Sequence, residues 1–315
     1  MDIKVITYNI DGLPATLDLK DLPWILKPIA WIYKLIKGTT VITVNDSQDI
    51  ADKTKSISTY LAASGSTIVG VQEDFNYHSE LMSALSEYKD STFTGDFTLP
   101  DILSSITWLP PRLKADGLNF IYKKDSIKVK KEDIVSWNDS YGYFDHANDK
   151  LTHKGFRAYT ITMENVDIDV YVLHMDADFY NPYSCPDVSG DIEARKSQLE
   201  QLSEYIITHS TGNPTIIMGD TNSTEMYSWD RDNIKNYLIN PINATSDLYI
   251  KEAVPSNAVN VDRIFYINSQ SSPFVIEVKE CYYDDVYYSD HSPLVTKFTV
   301  EQKSFSYVDS KVKKK

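Results

Sequence analysis

The sequence is poor in the residues that mark several large classes of protein. It has 2 cysteines, 11 glycines and 13 prolines among 315 residues, which argues against disulfide-stabilised scaffolds, collagen-like chains and low-complexity segments. Cys185 and Cys281 leave one disulfide bridge open and do not fix the cellular compartment. Since 42% of the residues are hydrophobic and 24% are charged, the chain can bury a sizeable core.

The sequence also lacks a long hydrophobic run. Its most apolar stretch, 22–36, has 15 residues and contains two prolines and two lysines, whereas a membrane-spanning helix needs about 20 apolar residues. The chain opens on DIKVITYNI, which alternates like a strand and does not resemble a signal peptide. We therefore expect no integral membrane span and no signal peptide in this chain. Its location is then cytoplasmic, or secreted with the signal removed.

Basic residues are outnumbered by acidic ones. There are 31 lysines and arginines against 45 aspartates and glutamates, and the formal net charge is −14. Proteins that bind the phosphate backbone of nucleic acids usually present clustered lysine and arginine, so charge disfavours a nucleic-acid partner without excluding one. Five lysines gather in residues 303–315, which we interpret as a solvated and disordered tail.

Strand and helix patterns alternate along most of the chain, which is typical of a layered α/β domain. Together with the hairpins, this alternation predicts two mixed β-sheets packed face to face with helices outside. No repeat of fixed period and no linker rich in Pro, Gly and Ser is present, so we expect one domain over 1–302, with an apolar insertion at 17–44, in a monomer. The predicted strands are 3–10, 67–72, 118–123, 156–163, 166–174, 215–219, 261–267, 275–281 and 294–300, and the predicted helices are 47–64, 77–88 and 193–209.

Polar residues suited to binding a hard metal ion or a phosphate lie at the ends of most predicted strands. The loops at strand ends in such a fold gather at one edge, where functional residues concentrate. Taken singly, each residue is more often part of an ordinary turn, and HMDAD alone fits Ca²⁺, Zn²⁺ or no ion. Their joint occurrence predicts a shared site. The candidates are Asn9, Glu73, His174, Asp176, Asp178, Asp220, Asn222, Asp262, Asp290 and His291.

The chemistry of these candidates suits a metal-assisted reaction at phosphorus. Mg²⁺ prefers oxygen ligands and keeps several waters, so Glu73 and Asn9 form a plausible magnesium site. Asp220 and Asn222 can orient a water molecule and a phosphate oxygen, and the two histidines can stabilise developing negative charge. Metal-assisted phosphoester hydrolysis needs these parts: a Lewis acid, a general base and cationic or hydrogen-bonding clamps.

Eight segments, in this order, resemble motifs of the endonuclease/exonuclease/phosphatase superfamily. They are TYNIDGLP, VQED, DGLNFIYK, KGFRAYTI, LHMDAD, MGDTNS, VDRIFY and SDHSP, and the resemblance runs from about residue 3 to residue 300. It implies a four-layered α/β/β/α sandwich of the DNase I-like kind. It also implies phosphoester cleavage by an activated water with Mg²⁺, or with Mn²⁺ or Ca²⁺ in its place.

The resemblance further implies roles for individual residues. Asn9 and Glu73 would be metal ligands, and Asp220 would be the base or the water-orienting acid. Asn222 would contact the phosphate, and His174 and His291 would stabilise a phosphorane-like transition state. Asp290 would polarise His291, and Asp262 would be a further acidic residue of the site. The remaining candidate metal ligands are Asp176, Asp178, Asp220, Asn222, Asp290 and His291.

Within the superfamily, the chain resembles the bacterial neutral sphingomyelinase branch. In that branch a KGF-type strand precedes an H-x-x-A motif and a helix with an R-x-x-Q-L core, as in KGFRAYTI, HMDA and RKSQL here. The chain departs from the branch by lacking an aromatic hairpin late in the sequence and by carrying the insertion at 17–44. Trp24 and Trp31 in the insertion fit either an interfacial helix at a lipid surface or a buried cover of the sandwich edge, and we favour burial.

The leading hypothesis is a Mg²⁺-dependent phosphodiesterase acting on a phospholipid of the sphingomyelin type. A zwitterionic head group needs no basic groove, so the acidic balance is compatible with it. The first alternative is a DNase I-like endonuclease and the second is an inositol phosphate phosphatase. A non-enzymatic binding module is disfavoured because the candidate catalytic set is intact. A nuclease needs a basic groove, for which the scattered candidates are Arg112, Lys114, Lys123, Lys124 and Lys154.

Overall fold

Two six-stranded β-sheets face each other in the computed structural model. It describes residues 1–13, 16–18, 31, 34–35, 38–43, 49–96, 115–142, 149, 152–178, 187–258 and 260–303. The strands are β1 (Asp2–Asn9), β2 (Thr16–Asp18), β3 (Val41–Thr43), β4 (Ile68–Gln72), β5 (Tyr88–Asp90), β6 (Asn119–Lys123), β7 (Lys128–Ser136), β8 (Gly155–Met163), β9 (Val166–His174), β10 (Thr215–Asp220), β11 (Leu248–Glu252), β12 (Asp262–Ser269), β13 (Phe274–Tyr283) and β14 (Leu294–Gln302). The helices are α1 (Ile50–Ser64), α2 (His78–Met82), α3 (Ser189–His209), α4 (Ser228–Asn233), a π-helical segment (Ile234–Ile239) and α5 (Asn240–Asn243).

Each sheet mixes parallel and antiparallel pairs. The first has the strand order β13-β14-β1-β4-β6-β5 and the second has the order β11-β12-β10-β9-β8-β7. β1 pairs in parallel with β4, and β10 in parallel with β9, while the other neighbours are antiparallel. The prediction of two mixed sheets is confirmed.

The two sheets share an apolar core that alternation along the strands creates. Every second side chain of a strand points to the same face, so Val5, Ile68, Val172, Met218 and Ile264 all enter the space between the sheets. The outer face of the first sheet packs on α1, and the outer face of the second packs on α3 and the helices after it. The result is the four-layered α/β/β/α sandwich that the sequence predicted.

Two glycines set close approaches near the edge where the polar residues gather. A Cβ at Gly70 in β4 would lie 2.9 Å from the Met218 sulfur of the facing sheet, so a side chain there would force Met218 to shift. A Cβ at Gly219 in β10 would lie 2.0 Å from the Leu173 carbonyl oxygen, and this residue also has a φ of 154°. Position 219 therefore requires glycine, and it directly precedes Asp220 of the candidate site.

A buried ion pair connects the two sheets near the same edge. Arg157 of β8 is fully buried, and its Nε and Nη2 atoms lie 2.8 and 2.7 Å from the two carboxylate oxygens of Asp116, which precedes β6. Arg157 Nη1 also donates to the Thr92 carbonyl oxygen. Because a buried charge needs a partner and hydrogen bonds, this pair fixes the β8 side of one sheet against the β5–β6 side of the other.

Several predicted elements differ from the observed ones. The helix predicted over 77–88 ends at Met82, because the Ala84 N–H donates to the Ser58 hydroxyl of α1, and Tyr88 then begins β5. β7, β11 and the helical run 228–243 were not predicted. β7 is an edge strand whose sequence KVKKEDIVS is mostly charged, so it lacks the apolar alternation that indicates a strand.

The insertion and the tail are described only in part. β2 pairs with β3, so the two ends of the insertion meet in a small antiparallel sheet. Trp31 is 64% exposed, so the expected burial is wrong for this residue, and Trp24 lies outside the described residues. In the predicted tail, the Lys303 ammonium donates to the Ser269 carbonyl oxygen, which ties this residue to β12, and 304–315 lie outside the described residues.

Two further expectations concern a disulfide bridge between the two cysteines and a membrane-spanning helix. Cys281 is a free, buried thiol that donates to the Ala253 carbonyl oxygen, and Cys185 lies outside the described residues. In the part of the chain that the structure describes, no helix is both long and apolar enough to cross a membrane.

Candidate active site

Strand register brings the predicted polar residues to one edge of the sandwich. His174, Asp220 and Asp262 lie opposite one another across β9, β10 and β12, and Asn9 lies opposite Gln72 across β1 and β4. Directly opposed residues project from the same face of a sheet. These side chains therefore extend the space between the sheets beyond its last apolar residues, and the site is continuous with the core.

Asn9 connects the two sheets within the site. Its Nδ2 atom donates to Glu73 Oε1 at 3.0 Å and to Asp220 Oδ2 at 3.1 Å, while its Oδ1 atom accepts from the Asp11 N–H at 3.1 Å. Glu73 follows β4 with a φ of 61°, an unusual conformation for a residue with a side chain. The backbone strain at Glu73 accompanies a carboxylate directed at Asn9.

Asp220 is central to the site. Its Oδ2 atom lies 3.5 Å from His174 Nε2 and 3.8 Å from His291 Nε2, and its Oδ1 atom accepts from the Asn222 N–H at 2.8 Å. Burial favours the protonated carboxyl, but the positive charge of His291 and the hydrogen bond from the Asn222 N–H hold the pKa of Asp220 below its usual value. Asp220 is therefore a buried carboxylate at neutral pH, able to accept a proton.

His291 forms an ion pair with Asp262. Its Nδ1 atom lies 2.7 Å from Asp262 Oδ2, which corrects the prediction that Asp290 polarises this histidine. The exposed Asp290 carboxylate instead accepts from the Ser289 hydroxyl. Burial opposes the charge on His291, but Asp262 raises the pKa of His291 to about 10, and burial raises the pKa of Asp262 to about 6. At neutral pH His291 is an imidazolium ion.

His174 has the opposite charge state. It is buried, and both burial and the nearby Lys154 lower the pKa of His174 well below its ordinary value. Its carbonyl oxygen accepts from the Trp137 indole N–H at 2.7 Å, which holds the end of β9. Asp220 thus lies between a neutral and a charged histidine, a separation of pKa values that is typical of acid and base roles in active sites.

Lys154 and Asp149 belong to the site, although the sequence did not assign them to it. Lys154 Nζ lies 2.5 Å from Asp149 Oδ1 and 3.3 Å from the Met175 carbonyl oxygen. Burial disfavours the ammonium, but Asp149 and, more weakly, Glu73 raise the pKa of Lys154. The hairpin could have revealed this position, because Lys154 directly precedes β8, which runs antiparallel to β9 and so begins beside the end of β9.

The side chains of three other candidates, Asp176, Asp178 and Asn222, bind partners outside the Asn9–Glu73–Asp220 group. Asp178 pairs with Arg195 of α3 at 2.8 Å, and Asp176 Oδ2 accepts from the Tyr141 N–H at 2.7 Å. Burial raises the pKa of Asp176 to about 8. Asn222, with a φ of 48°, donates from Nδ2 to the Met175 carbonyl oxygen at 3.0 Å. We therefore leave Asp176 and Asp178 out of the candidate metal set and keep Asn222 beside Asp220.

Oxygen atoms suited to a hard cation gather around Asn9. One amide group serves both Glu73 and Asp220, and burial raises the pKa of Glu73 to about 7, an effect that Lys154 and Asn9 offset only in part. A bound divalent cation would compensate this buried negative charge, so the donor set fits Mg²⁺. Within the described ranges, one group of three acidic or histidine side chains has ligand atoms within 4.8 Å of one another: Asp220, Asp262 and His291. Because the last two already form an ion pair, we favour Glu73 and Asn9 as the ligands, beside Asp220. To bind a cation, the Asn9 amide would turn so that Oδ1, which here accepts from the Asp11 N–H, takes the place of Nδ2.

Comparison with known proteins gives both sequence and structural relatives. No protein-family model matches the sequence. A sphingomyelinase from Mycobacterium tuberculosis is 26% identical over 251 residues, which cover 79% of this chain and 39% of that protein. A beta toxin variant from Staphylococcus aureus with bound magnesium ions superposes with a TM-score of 0.59 at 16% identity, covering 94% of this chain and 99% of the toxin chain. An endonuclease/exonuclease/phosphatase from Bacteroides vulgatus superposes with a TM-score of 0.57 at 15% identity, covering 96% and 100% of the two chains.

The fold is similar to that of the Bacteroides vulgatus endonuclease/exonuclease/phosphatase and of the beta toxin, in agreement with the resemblance of the sequence motifs. Its sequence is similar to that of the mycobacterial sphingomyelinase. The chain spans 39% of the length of the curated mycobacterial relative.

The Asp262–His291 pair predicts a specific pH dependence. In Asp262→Asn the pKa of His291 should fall from about 10 toward about 6.5, because the paired carboxylate that favours the imidazolium is gone. Any activity that needs the imidazolium should then decline above about pH 6.5 in the variant, but only near pH 10 in the wild type. Histidine-selective ¹H–¹⁵N NMR titration measures this shift directly. A wild-type His291 that titrates near 6.5 contradicts the assignment.

Proposed function

We propose that this protein is a Mg²⁺-dependent phosphodiesterase that cleaves a phospholipid of the sphingomyelin type by water attack. The observation that carries the proposal is the array across the two sheets. Asn9 joins Glu73 to Asp220, and Asp220 lies 3.5 and 3.8 Å from a neutral and a charged histidine. This array combines a cation site, a base and charge-stabilising groups in one buried edge.

Each group in the array has a chemical role in this proposal. Asp220 accepts a proton from water as the water oxygen forms its bond to phosphorus and the bond from phosphorus to the leaving oxygen breaks. His291, held as an imidazolium by Asp262, stabilises negative charge on the phosphoryl oxygens, and the neutral His174 donates a hydrogen bond to them. A divalent cation held by Glu73 and Asn9 would supply Lewis-acid polarisation of the phosphoryl group.

A phospholipid is supported over a polyanionic substrate by charge and by similarity. The net charge of −14 repels nucleic acids and inositol polyphosphates, whereas a zwitterionic head group has no net charge to repel. The mycobacterial relative is named a sphingomyelinase, and the beta toxin structure contains magnesium ions. Trp31 and Leu35 of the insertion are 64% and 72% exposed, which suits contact with a lipid surface.

Removing the metal should abolish the activity, and restoring it should recover the activity. We expect hydrolysis of sphingomyelin and of a generic bis-phosphodiester to fall to background in EDTA, because Glu73 and Asn9 then hold no cation. Added Mg²⁺ should restore the rate, with Mn²⁺ and Ca²⁺ as comparison ions. Plasmid DNA and inositol phosphates complete the panel. Nicking of DNA with sphingomyelin left intact would favour the nuclease alternative, and a rate that EDTA does not change would contradict the metal site.

A further inference from the structure

The peptide unit between Met175 and Asp176 is bound by side chains at both of its polar ends. On the site side, the Met175 carbonyl oxygen accepts from Asn222 Nδ2 at 3.0 Å and from Lys154 Nζ at 3.3 Å. On the helix side, the Asp176 N–H donates to Gln198 Oε1 at 2.9 Å. Because a peptide unit is planar, its C=O and N–H turn together. The acceptor on α3 therefore also sets the direction of the carbonyl that faces the site.

Gln198 has a fixed orientation of its own. It is 1% exposed in the middle of α3, and its Nε2 atom donates to the Asp139 carbonyl oxygen at 2.8 Å. With the NH₂ group bound there, only the amide oxygen is left to face the Asp176 N–H. The fixed Gln198 amide oxygen thus sets the orientation of the Met175–Asp176 peptide plane.

We infer that Gln198 is a positioning residue of the site. It fixes the Met175–Asp176 peptide plane, and the Met175 carbonyl oxygen in turn holds the Asn222 amide and the Lys154 ammonium beside Asp220. This inference rests on the proposed hydrolase function. Gln198 acts only through the peptide plane and touches no reacting atom.

Loss of the Gln198 amide would release this arrangement. The Asp176 N–H would be buried without an acceptor, and buried N–H groups in folded proteins are almost always paired. The peptide would turn until the N–H met another acceptor, and its carbonyl oxygen would move away from Asn222 and Lys154. The fold would persist, since α3 keeps its apolar contacts through Leu199 and Leu202.

The chain offers a matched control in Asn268 of β12. Its amide also binds one backbone N–H and one backbone C=O, since Oδ1 accepts from the Ile276 N–H at 2.8 Å and Nδ2 donates to the Ile276 carbonyl oxygen at 2.9 Å. Asn268 lies near the end of β12 opposite Asp262, so it is remote from the site. Asn268→Leu therefore removes the same kind of paired side-chain-to-backbone hydrogen bonds and leaves the proposed site residues unchanged.

The kinetic test compares Gln198→Met with Asn268→Leu under the Mg²⁺ assay. In Gln198→Met we expect kcat to fall about 10- to 100-fold, while KM stays within about two-fold. In Asn268→Leu we expect a lower Tm and an unchanged kcat. In an Asn222→Ala background, Gln198→Met should lower kcat by a smaller factor than in the wild type, because one of the two groups it positions is absent. Equal losses of kcat in the two single variants, or full additivity with Asn222→Ala, would overturn the inference.

A crystal structure of Gln198→Met tests the inference without any substrate. We expect the Met175–Asp176 peptide to be turned and its carbonyl oxygen to lie beyond hydrogen-bond distance of Asn222 Nδ2. An unchanged 3.0 Å contact would overturn the positioning role even if the variant were inactive. If the wild-type protein hydrolysed no phosphoester, the proposed function would fail, and this structure would still decide whether Gln198 sets the peptide plane.

Discussion

Asp220→Asn is expected to lower phosphodiester hydrolysis by about 10³-fold, and His291→Ala by a similar factor. The amide has the size of the carboxylate and can still accept from the Asn222 N–H, but it cannot take a proton from water. In His291→Ala the imidazolium that Asp262 stabilises is lost, and with it a positive charge near Asp220. Both substitutions remove a functional group at one edge of the sandwich and leave the apolar core unchanged.

The test measures kcat and KM for the two variants beside His209→Gln, which changes an exposed histidine at the end of α3. Thermal unfolding of each variant checks that the fold is retained. We expect His209→Gln to keep the wild-type rate. Rates within about two-fold of the wild type for both Asp220→Asn and His291→Ala would refute the proposed roles of these residues.

Arg157→Met is expected to lower the free energy of unfolding by about 3–5 kcal/mol. The methionine keeps most of the buried volume but leaves the Asp116 carboxylate inside the protein without its bidentate partner. The connection from β8 to the Thr92 carbonyl oxygen is lost as well. The two sheets carry different parts of the site. Loss of the Arg157–Asp116 pair therefore weakens the contact that holds those parts together.

Urea unfolding followed by circular dichroism measures the effect through the transition midpoint. The control is Lys130→Ala, which breaks an ion pair with Asp167 whose side chains are 44% and 37% exposed. An exposed pair of this kind contributes at most about 1 kcal/mol. If Arg157→Met cost no more than Lys130→Ala, the pair with Asp116 would not be the fixed contact that its geometry indicates.

The sequence predicted most of the sandwich because its central strands are apolar and bounded by clear turns. β9 has the predicted bounds, and Glu164 and Asn165 before it take φ values of 48° and 65°, as expected of a two-residue hairpin turn. The end of α2 was not predictable, because it depends on a hydroxyl from another helix. Local pattern contains no information about such a contact.

The candidate site was predictable where a polar residue directly follows an apolar strand. Asn9, His174 and Asp220 are of this kind, and register alone brings the last two together. The partner of His291 was not predictable, because the nearest acid in sequence is Asp290, whereas the acid that reaches the ring lies on β12. Lys154 was named only as one of several scattered basic residues, although the predicted hairpin of β8 and β9 places it beside the end of β9.

The continuity between core and site has a consequence for how the chain can change in length. Ile216, Met218 and Asp220 occupy one face of β10, and a single deletion between Met218 and Asp220 would turn the carboxylate toward α3. A strand that ends in the site therefore cannot gain or lose a single residue. Such a change would turn its site residue toward the helices and bring a helix-facing side chain into the site. Loops are free of that constraint. Segments such as 17–44, whose two ends meet in a small sheet, are where additions can accumulate while the chemistry is preserved.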